Sequence, residues 1–245
     1  MGVIRQVWPD AREMDSGALE QMYGYPADPK WLAVNFVSSA DGAVTVEGRS
    51  GSLSTPADRI VYRLGNDLAD VVLVGAGTAM AEGFEGMDPD SRTAEVRARH
   101  GLAPIAPVAV VTTGRSLPPD APVITKASVP TIVITCLRAP EDLRDAWAAA
   151  GAKVMVAGDD EVAIELAVAS LVAEGLGRID CEGGPRLFGS LLAAGVVDEF
   201  RLTVAPYLVA GGASRAAVGD MSTLEELRLA SVLTDGDSLL LRYLV

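Results

Sequence analysis

Apolar runs of strand length recur along the chain from residue 31 onward, with amphipathic segments between them. Runs of this kind, rich in Val, Ile and Leu and bounded by Gly or Pro, are typical of buried strands in a mainly parallel sheet. They are WLAVNFVS (31–38), VVLVG (71–75), PVAVVTTG (107–114), PTIVITC (130–136), AKVMVAG (152–158) and RIDC (178–181). Strands that alternate with helices in this way predict an α/β fold.

The helices predicted between these strands carry start signals. In STPADRIVYRLGNDLAD (54–70), Thr55 is the expected N-cap and Pro56 the first helical residue. The apolar positions that share one face of this helix are Ala57, Val61, Leu64 and Leu68. Further helices are predicted over 140–150, over 161–175 and from Pro185 onward.

Two stretches break the alternation of strands and helices. In residues 1–30, the segment SGALEQMYGY predicts a single helix. Residues 84–106 are charged and long enough to form a functional loop.

The end of the chain predicts an alternating segment followed by a hairpin. FRLTVAPYLV (200–209) alternates, with Phe200, Leu202 and Val204 on one side and Arg201 and Thr203 on the other. Asp235-Gly236 then separates RLASVLT from SLLLRYLV, which predicts a closing hairpin. Because no linker or repeat divides the chain, we expect one domain over 1–245, with 1–30 as an N-terminal extension.

Composition limits the classes of partner. Hydrophobic residues make up 49% of the 245 residues and charged residues 22%, which fits a globular protein with a sizeable core. The net charge of −13 repels nucleic acid and anionic membranes, so we expect neither as a partner. No apolar run approaches the roughly 20 residues of a membrane span, and the N-terminus lacks the apolar block of a signal peptide. These features predict a cytoplasmic protein.

Cysteine and histidine are too few for several common kinds of site. Cys136, Cys181 and His100 are the only ones, which excludes a disulfide framework and a Cys/His zinc site within one chain, so we expect no metal. Both cysteines lie in apolar strands and are interpreted as packing residues. His100 follows a charged segment with the character of an exposed helix, which disfavours a Ser-His-Asp triad.

Two strand-to-helix turns contain glycines, EGGPRLFG (182–189) and GAGTAMAEG (75–83). Each is consistent with a plain packing turn, with Gly184 as N-cap in the first. Each is also consistent with a phosphate site, since glycines let a ligand approach the backbone and a helix N-terminus attracts anions. Two such turns favour a diphosphate held from both sides. Glu182 also favours a ligand site. Burying a carboxylate at the end of an apolar strand costs free energy unless the group has water or a partner.

The segment TTGR (112–115) follows a predicted strand. Its hydroxyls and its arginine are suited to the adenosine end of a cofactor, including a 2′-phosphate. Alternatively, Arg115 is a solvent-exposed turn residue that binds no ligand.

Several of these motifs together resemble the pyrimidine reductase domain of riboflavin biosynthesis. They are SSADG (38–42), GRSGSLSTP (48–56), ADVVLVGAGT (69–78), the block CEGGPRLFGSLLAAGVVDEFRLTVAPYLVAGG (181–212) and LLLRYL (239–244). The resemblance implies a dihydrofolate-reductase-like three-layer α/β fold with a mainly parallel central sheet and a C-terminal antiparallel hairpin. It also implies NADPH as hydride donor, a small heterocyclic substrate and a homodimer. The chain has no H-x-E or P-C-x-x-C run, so a zinc deaminase domain is not expected.

The resemblance and the glycine turns together give a candidate site. The predicted cofactor-binding residues are Val37, Asp41, Ser52, Gly75, Gly77, Thr78, Glu82, Thr112, Arg115, Gly183, Gly184, Pro185, Arg186, Leu187, Phe188, Gly189 and Ser190. The predicted substrate-binding residues are Asn35, Ser50 and Glu182. Glu182 and Asp41 are the candidate catalytic residues, for substrate orientation or proton relay, although either is also suited to hold a ribose hydroxyl.

Two positions depart from the family pattern. Asn35 stands where its riboflavin enzymes often have lysine, and Asn66 stands at or near a position where they have arginine. An arginine-bearing loop for the substrate phosphate is not recognisable within 84–106. A reductase of a pterin or folate and a non-catalytic NADPH-binding regulator therefore remain alternatives, as does a purely structural role for both glycine turns.

Overall fold

The computed structural model describes residues 3–87, 90–220 and 224–245. Its strands are β1 (Arg5–Trp8), β2 (Arg12–Glu13), β3 (Trp31–Ser39), β4 (Val71–Gly75), β5 (Val108–Val111), β6 (Ile132–Thr135), β7 (Lys153–Val156), β8 (Arg178–Cys181), β9 (Glu199–Ala205), β10 (Arg228–Asp235) and β11 (Ser238–Leu244). Its helices are α1 (Ser16–Met22), α2 (Pro56–Leu68), α3 (Ala76–Glu82), α4 (Ser91–Arg99), α5 (Pro122–Thr125), α6 (Glu141–Ala149), α7 (Ile164–Ala173) and α8 (Pro185–Ala193).

The strands of the described residues form one sheet in the order β2-β1-β10-β11-β9-β3-β8-β4-β5-β6-β7. From β9 to β7 all neighbours are parallel, and from β2 to β11 they are antiparallel, as is the β11–β9 pair. Asp235 pairs with Ser238 across the predicted turn, and Gly236 has φ +58°. The predicted α/β class, with a mainly parallel sheet and a C-terminal antiparallel hairpin, is confirmed.

Helices cover both faces of the sheet. On one face, α7 and α8 pack against Leu73 of β4 and Ile179 and Cys181 of β8 in the largest apolar cluster. On the other face lie α2 with α1, and Trp147 of α6 against β5 and β6. Side chains alternate along a strand, so Asp180, between Ile179 and Cys181, faces α2. Apolar clusters on both faces make the sheet the middle of three layers.

Helix α2 begins as predicted. The Thr55 side chain accepts a hydrogen bond from the Asp58 amide, and Pro56 is the first helical residue. All four predicted apolar positions of this helix are buried. They anchor α2 on the sheet.

The first 30 residues add to the same sheet. Strand β1 pairs with β10, and β2 pairs with β1. The predicted helix is α1, capped by the Asp15 side chain, which accepts from the Ala18 amide. The N-terminal extension therefore supplies two strands and a helix that packs beside α2.

Strand β9 is shorter than the alternating stretch over 200–209. It ends at Ala205 rather than reaching residue 209, because the following Pro206 has no amide hydrogen for the ladder. Its polar side chains Glu199, Arg201 and Thr203 are buried, whereas the apolar ones between them are half-buried. The predicted alternation is confirmed, and the buried face is the polar one because ion pairs satisfy Glu199 and Arg201.

The charged stretch over 84–106 is only partly a loop. Helix α4 begins after its N-cap Asp90, and Arg97 donates to the carbonyl oxygens of Asn66, Asp67 and Ala69 at the end of α2. The functional-loop prediction is therefore wrong for residues 91–99, which form a helix that caps α2. Residues 84–87 do line the large cavity described below. Residues 88–89 lie outside the described residues.

The cysteines and the histidine lie as predicted. Cys136 and Cys181 are buried free thiols, and His100 is exposed at the end of α4, where it contacts Glu20. Within the described ranges, no three His, Cys, Asp or Glu side chains are grouped to hold a metal ion. No described helix combines the length and apolarity needed to cross a membrane.

Candidate active site

A cavity of about 1560 Å³ opens at the carboxyl ends of β3, β4, β5 and β8. In an open parallel sheet this is the edge at which ligands bind. Pockets for one small molecule usually have volumes of about 300–1,000 Å³. The cavity therefore has room for two ligands side by side.

The two glycine turns meet in the wall of this cavity. The Gly75 amide donates to the Gly183 carbonyl oxygen over 2.8 Å. Gly184 lies so close to Thr78 that a Cβ atom at Gly184 would collide with the threonine hydroxyl. Gly183 has φ +82°, and a Cβ there would lie 2.9 Å from the Phe36 ring. Both positions of the pair thus require glycine, and the peptide bond between them is cis.

The N-terminus of α8 faces the cavity without a side-chain cap. Gly184 is its N-cap, Pro185 is its first residue, and the first bond within the helix runs from the Phe188 amide to the Gly184 carbonyl oxygen. The amides of Arg186 and Leu187 precede that bond, and both residues line the cavity. Free amides at a helix N-terminus bind phosphate groups. The chemistry of this wall therefore fits the diphosphate of a dinucleotide.

The loop after β5 forms another part of the wall. Thr112 lines the cavity, and its side-chain oxygen accepts from the Gly114 amide over 3.0 Å. Thr113 and Ser116 line the cavity as well. Arg115 lies in the same loop, exposed and outside the wall.

Glu182 lies where β8 ends, between α2 and β3. Asn66 Nδ2 donates to Glu182 Oε1 over 3.2 Å, and Asn35 of β3 lines the same cavity as this carboxyl group. Burial raises the pKa of Glu182 well above its usual range, and the negative charge of Asp180 raises that pKa further. Both effects favour the protonated carboxylic acid, which is the form that can donate a proton toward the cavity.

The structure does not bring Asp41 to Glu182. The Asp41 carboxylate accepts from the Ser39 hydroxyl, from the Val209 amide at 3.2 Å and from the Ala210 amide at 2.7 Å. These hydrogen bonds lower its pKa to about 2, with the Ser39 contact the largest cause. Asp41 is consequently ionised at neutral pH, and it tethers the loop after β9 instead of carrying a proton.

Most predicted site residues line the one cavity. They are Asn35, Val37, Ser50, Gly75, Gly77, Thr78, Glu82, Thr112, Glu182, Gly184, Pro185, Arg186, Leu187 and Ser190. Six that the structure describes lie outside its walls: Asp41, Ser52, Arg115, Gly183, Phe188 and Gly189. Phe188, for example, stacks on Phe36 with ring centroids 5.5 Å apart, and Gly189 packs against the Val218 carbonyl.

Helix α2 contributes two cavity residues that the sequence reasoning missed, Asp58 and Tyr62, beside Asn66, which it named only as a departure from the family pattern. Asp58 and Tyr62 line the cavity, and Asn66, one turn further along, contacts Glu182. Their spacing of four places them on one helix face, and that regular polar stripe was the signal available in the sequence. Arg59 is a further cavity residue on this helix and brings a positive charge to it. Asp180 was missed because it stands within an apolar strand.

The model of the RibD C-terminal domain family matches residues 30–241. The chain belongs to this family. The match covers every strand from β3 to β10 and all the cavity residues named above. Membership is thus shown for the part of the chain that builds the site.

Two named relatives of this RibD C-terminal domain are reductases. The chain is 30% identical over 221 residues to the 2,5-diamino-6-ribosylamino-4(3H)-pyrimidinone 5′-phosphate reductase of Methanothermobacter thermautotrophicus, covering 88% of the chain and 98% of the relative. It is 29% identical to the reductase of the same name from Archaeoglobus fulgidus, covering 82% and 92%. A pyrimidine reductase-like protein from Corynebacterium diphtheriae shares the fold, with a TM-score of 0.79, 22% identity and coverage of 93% and 98%.

Proposed function

We propose that this protein is an NADPH-dependent reductase of a ribosylaminopyrimidine 5′-phosphate in riboflavin biosynthesis. The observation that carries the proposal is the single cavity in which both glycine turns and Glu182 meet. Burial there favours the protonated form of Glu182. The reductases named above, which match nearly their full length, support the same substrate class.

The wall around Gly184 is the proposed diphosphate site of NADPH. The Arg186 and Leu187 amides would bind diphosphate oxygens, and the close approach of Gly184 to Thr78 keeps the wall thin there. Thr112 is suited to the adenosine end, and Arg115 in the same loop is the proposed source of preference for NADPH over NADH. When bound, NADPH supplies a hydride.

The opposite wall, along α2, is the proposed substrate site. Arg59 supplies a positive charge for the substrate phosphate, in a chain whose overall charge is −13. Asn35 Oδ1 has no hydrogen-bond donor among the described residues, so it is free to accept from an amino group of the heterocycle. Ser50 lies beside this site, and its amide donates to Glu82 Oε1 over 2.7 Å, which holds the loop around Ser50 against α3.

In this mechanism the protein aligns the reactants and provides one proton. Glu182 Oε1 accepts from Asn66, so Oε2 is the atom proposed to carry the proton. Glu182 gives that proton to the heteroatom next to the carbon that is reduced. The buried floor around Glu182 excludes water from the reacting groups. Asp41 has no part in these steps.

The test of this function is an NADPH-oxidation assay with three substrates side by side. These are the diaminopyrimidinone phosphate, the corresponding 5-amino-6-(5-phosphoribosylamino)uracil and dihydrofolate. We expect oxidation with a ribosylaminopyrimidine phosphate and none with dihydrofolate. The reverse result would favour a folate reductase, and tight NADPH binding without oxidation by any of them would favour a regulator.

Two further statements remain proposals. Exposed leucines on the C-terminal hairpin, Leu229 and Leu239 among them, support a homodimer. Light scattering that gives the mass of one chain at micromolar concentration would contradict it. A cytoplasmic location is expected for a biosynthetic reductase, and cell fractionation would test it.

A further inference from the structure

A buried cluster of charged side chains lies beneath Glu182. Arg201 Nε and Arg242 Nε both donate to Glu199 Oε1, over 2.7 Å and 2.6 Å. Trp31 Nε1 donates to the other oxygen of Glu199 over 3.1 Å. Glu199 and Asp180 have no exposed surface, and Arg201 is 2% exposed. Charges removed from water this completely must offset one another.

Asp180 is the member of this cluster without a hydrogen bond. Neither of its oxygens meets a donor among the described residues, and the nearest cation, Arg201 Nη1, is 3.6 Å from Oδ1 and also unbonded. Helix α2 closes the space above it, since a Cβ atom at Gly65 would lie 2.9 Å from Asp180 Oδ1. The Asp180 carboxyl group is therefore sealed in, with no room for a compensating side chain.

The missing partner of Asp180 is Glu182. Residues two apart along a strand point to the same face, and the Glu182 amide continues the β8 ladder by donating to the Leu73 carbonyl oxygen. Gly65 and Asn66, adjacent in α2, lie against Asp180 and Glu182 respectively, so the two carboxyl groups are neighbours. Two ionised carboxylates can only accept hydrogen bonds, so as ions they cannot satisfy one another. If the pair carries one proton, one carboxyl group donates a hydrogen bond to the other. Asp180 then has the hydrogen-bond partner that it otherwise lacks.

The net charge of the cluster also indicates one proton on the Asp180–Glu182 pair. Two arginines face three carboxyl groups, and Glu199, bonded to both Arg201 and Arg242, is offset by one of them. A single positive charge then remains for Asp180 and Glu182 together. One proton on that pair makes the buried cluster neutral.

We propose that Asp180 is a positioning residue that keeps one proton on the Asp180–Glu182 pair, so that Glu182 presents it to the substrate. The inference rests on the proposed function. In the reaction, the O–H bond of Glu182 breaks and a heteroatom–H bond forms on the substrate, while the hydride from the cofactor goes to the adjoining carbon. The pair is then doubly negative beside one guanidinium, and it recovers its proton from water once product has left the cavity.

The pKa directions agree with this geometry. Burial raises the pKa of Asp180 to about 6, although Arg201 opposes the rise. The pKa of Glu199 is about 2, because the two arginines outweigh the effect of burial. The titratable and charged groups around Glu182, from every neighbouring element, are Asp58 and Tyr62 of α2, Glu82 of α3, Tyr25 before β3, Asp180 of β8, Glu199 and Arg201 of β9, and Arg242 of β11.

The shared proton is tested directly in the free protein by infrared spectroscopy. A protonated carboxylic acid has a carbonyl band distinct from that of a carboxylate. We expect this band at neutral pH in the wild type and its loss in Asp180→Asn, because Arg201 then stabilises an ionised Glu182. Glu182→Gln should lose it too, because Asp180 alone beside Arg201 ionises. Asp67→Asn is the control, since Asp67 is a 3% exposed carboxylate of α2 outside the cavity walls. Its spectrum should retain the band.

Retention of the band in Asp180→Asn, with the fold checked by circular dichroism, would overturn the proposal. So would its retention in Glu182→Gln, which leaves the Asp180 side chain in place and keeps the test valid if Asp180→Asn does not fold. Neither measurement needs a substrate.

The kinetic test is the pH profile of kcat. Glu182 works in its protonated form, so wild-type activity falls as pH rises through the pKa of Glu182. Asp180→Asn removes a negative charge, lowers that pKa and moves the fall to lower pH, by about one pH unit or more. At neutral pH kcat should drop roughly tenfold, with KM little changed. An unmoved profile would overturn the role of Asp180 in the reaction. Loss of the infrared band combined with no NADPH oxidation by the wild type would instead contradict the proposed function.

Discussion

The Gly75 amide donates to the Gly183 carbonyl oxygen over 2.8 Å, joining the ends of two neighbouring strands. Gly75 ends β4, and Gly183 follows β8, its hydrogen-bonded neighbour in the sheet. The bond brings the start of α8 against α3, where Gly184 meets Thr78. The thin wall beneath the proposed diphosphate site is thus built by the backbone, and its shape depends on the absence of side chains.

Gly184→Ala tests this wall. The new methyl group would collide with the Thr78 hydroxyl, and overpacking of this kind costs about 1–3 kcal/mol of stability. We expect a lower thermal midpoint and a smaller rise of that midpoint on addition of NADPH. Gly212→Ala is the control, because the space around Gly212 is open. The double variant Gly184→Ala/Thr78→Ala should recover stability, and failure to do so would show that the collision is not the cause.

Glu182→Gln tests the proton donor. Glutamine keeps the size and the hydrogen bond from Asn66 but cannot supply the proton, so kcat should fall by about 10²–10⁴. The dissociation constant for NADPH, measured by calorimetry, should change little. Glu161→Gln is the matched control, because Glu161 also lines the cavity but is exposed. Equal losses in kcat and NADPH affinity, or no loss, would contradict the role.

The strand runs and turn signals were readable in the sequence because they depend on neighbours along the chain. Thr55 and Pro56 predicted the start of α2, and Gly183 and Gly184 predicted the turn that builds the site. The alternation in β9 was readable for the same reason. Which face of β9 is buried could not be predicted from the sequence, because it depends on the contact between Arg242 of β11 and Glu199.

The partners of isolated polar residues were not readable either. Asp41 has the turn-forming neighbour Gly42, but its role is set by the amides of Val209 and Ala210, which are distant in the chain. Asp180 stands in an apolar strand, and its significance appears only when Arg201 and α2 are placed around it. Long-range contacts of this kind decide the chemistry of the site, whereas local patterns decide its framework.

The tether formed by Asp41 predicts a pH-dependent stability. Its pKa falls from 3.8 to about 2 on folding, so its stabilising contribution is present above the unfolded value and is lost as pH drops through the folded one. Asp41→Asn should therefore lower the thermal midpoint at pH 7, with the difference from wild type disappearing near pH 2. Asp10→Asn, at another exposed aspartate, is the control. A constant difference at all pH values would mean that the charge of Asp41 is not what holds the loop.

Arg59→Ala tests the proposed phosphate end of the substrate site. A charge-assisted contact contributes about 1.5–3 kcal/mol, so KM for the phosphorylated substrate should rise by roughly 10- to 100-fold. NADPH affinity should stay unchanged, because the proposed diphosphate site at the Arg186 amide is in the opposite wall of the cavity. Arg63→Ala is the matched control, one turn further along α2, where the side chain is exposed and pairs with Asp90. The decisive comparison is the dephosphorylated substrate, on which Arg59→Ala and wild type should have the same KM. A rise in KM for both forms would place Arg59 against the heterocycle instead of the phosphate.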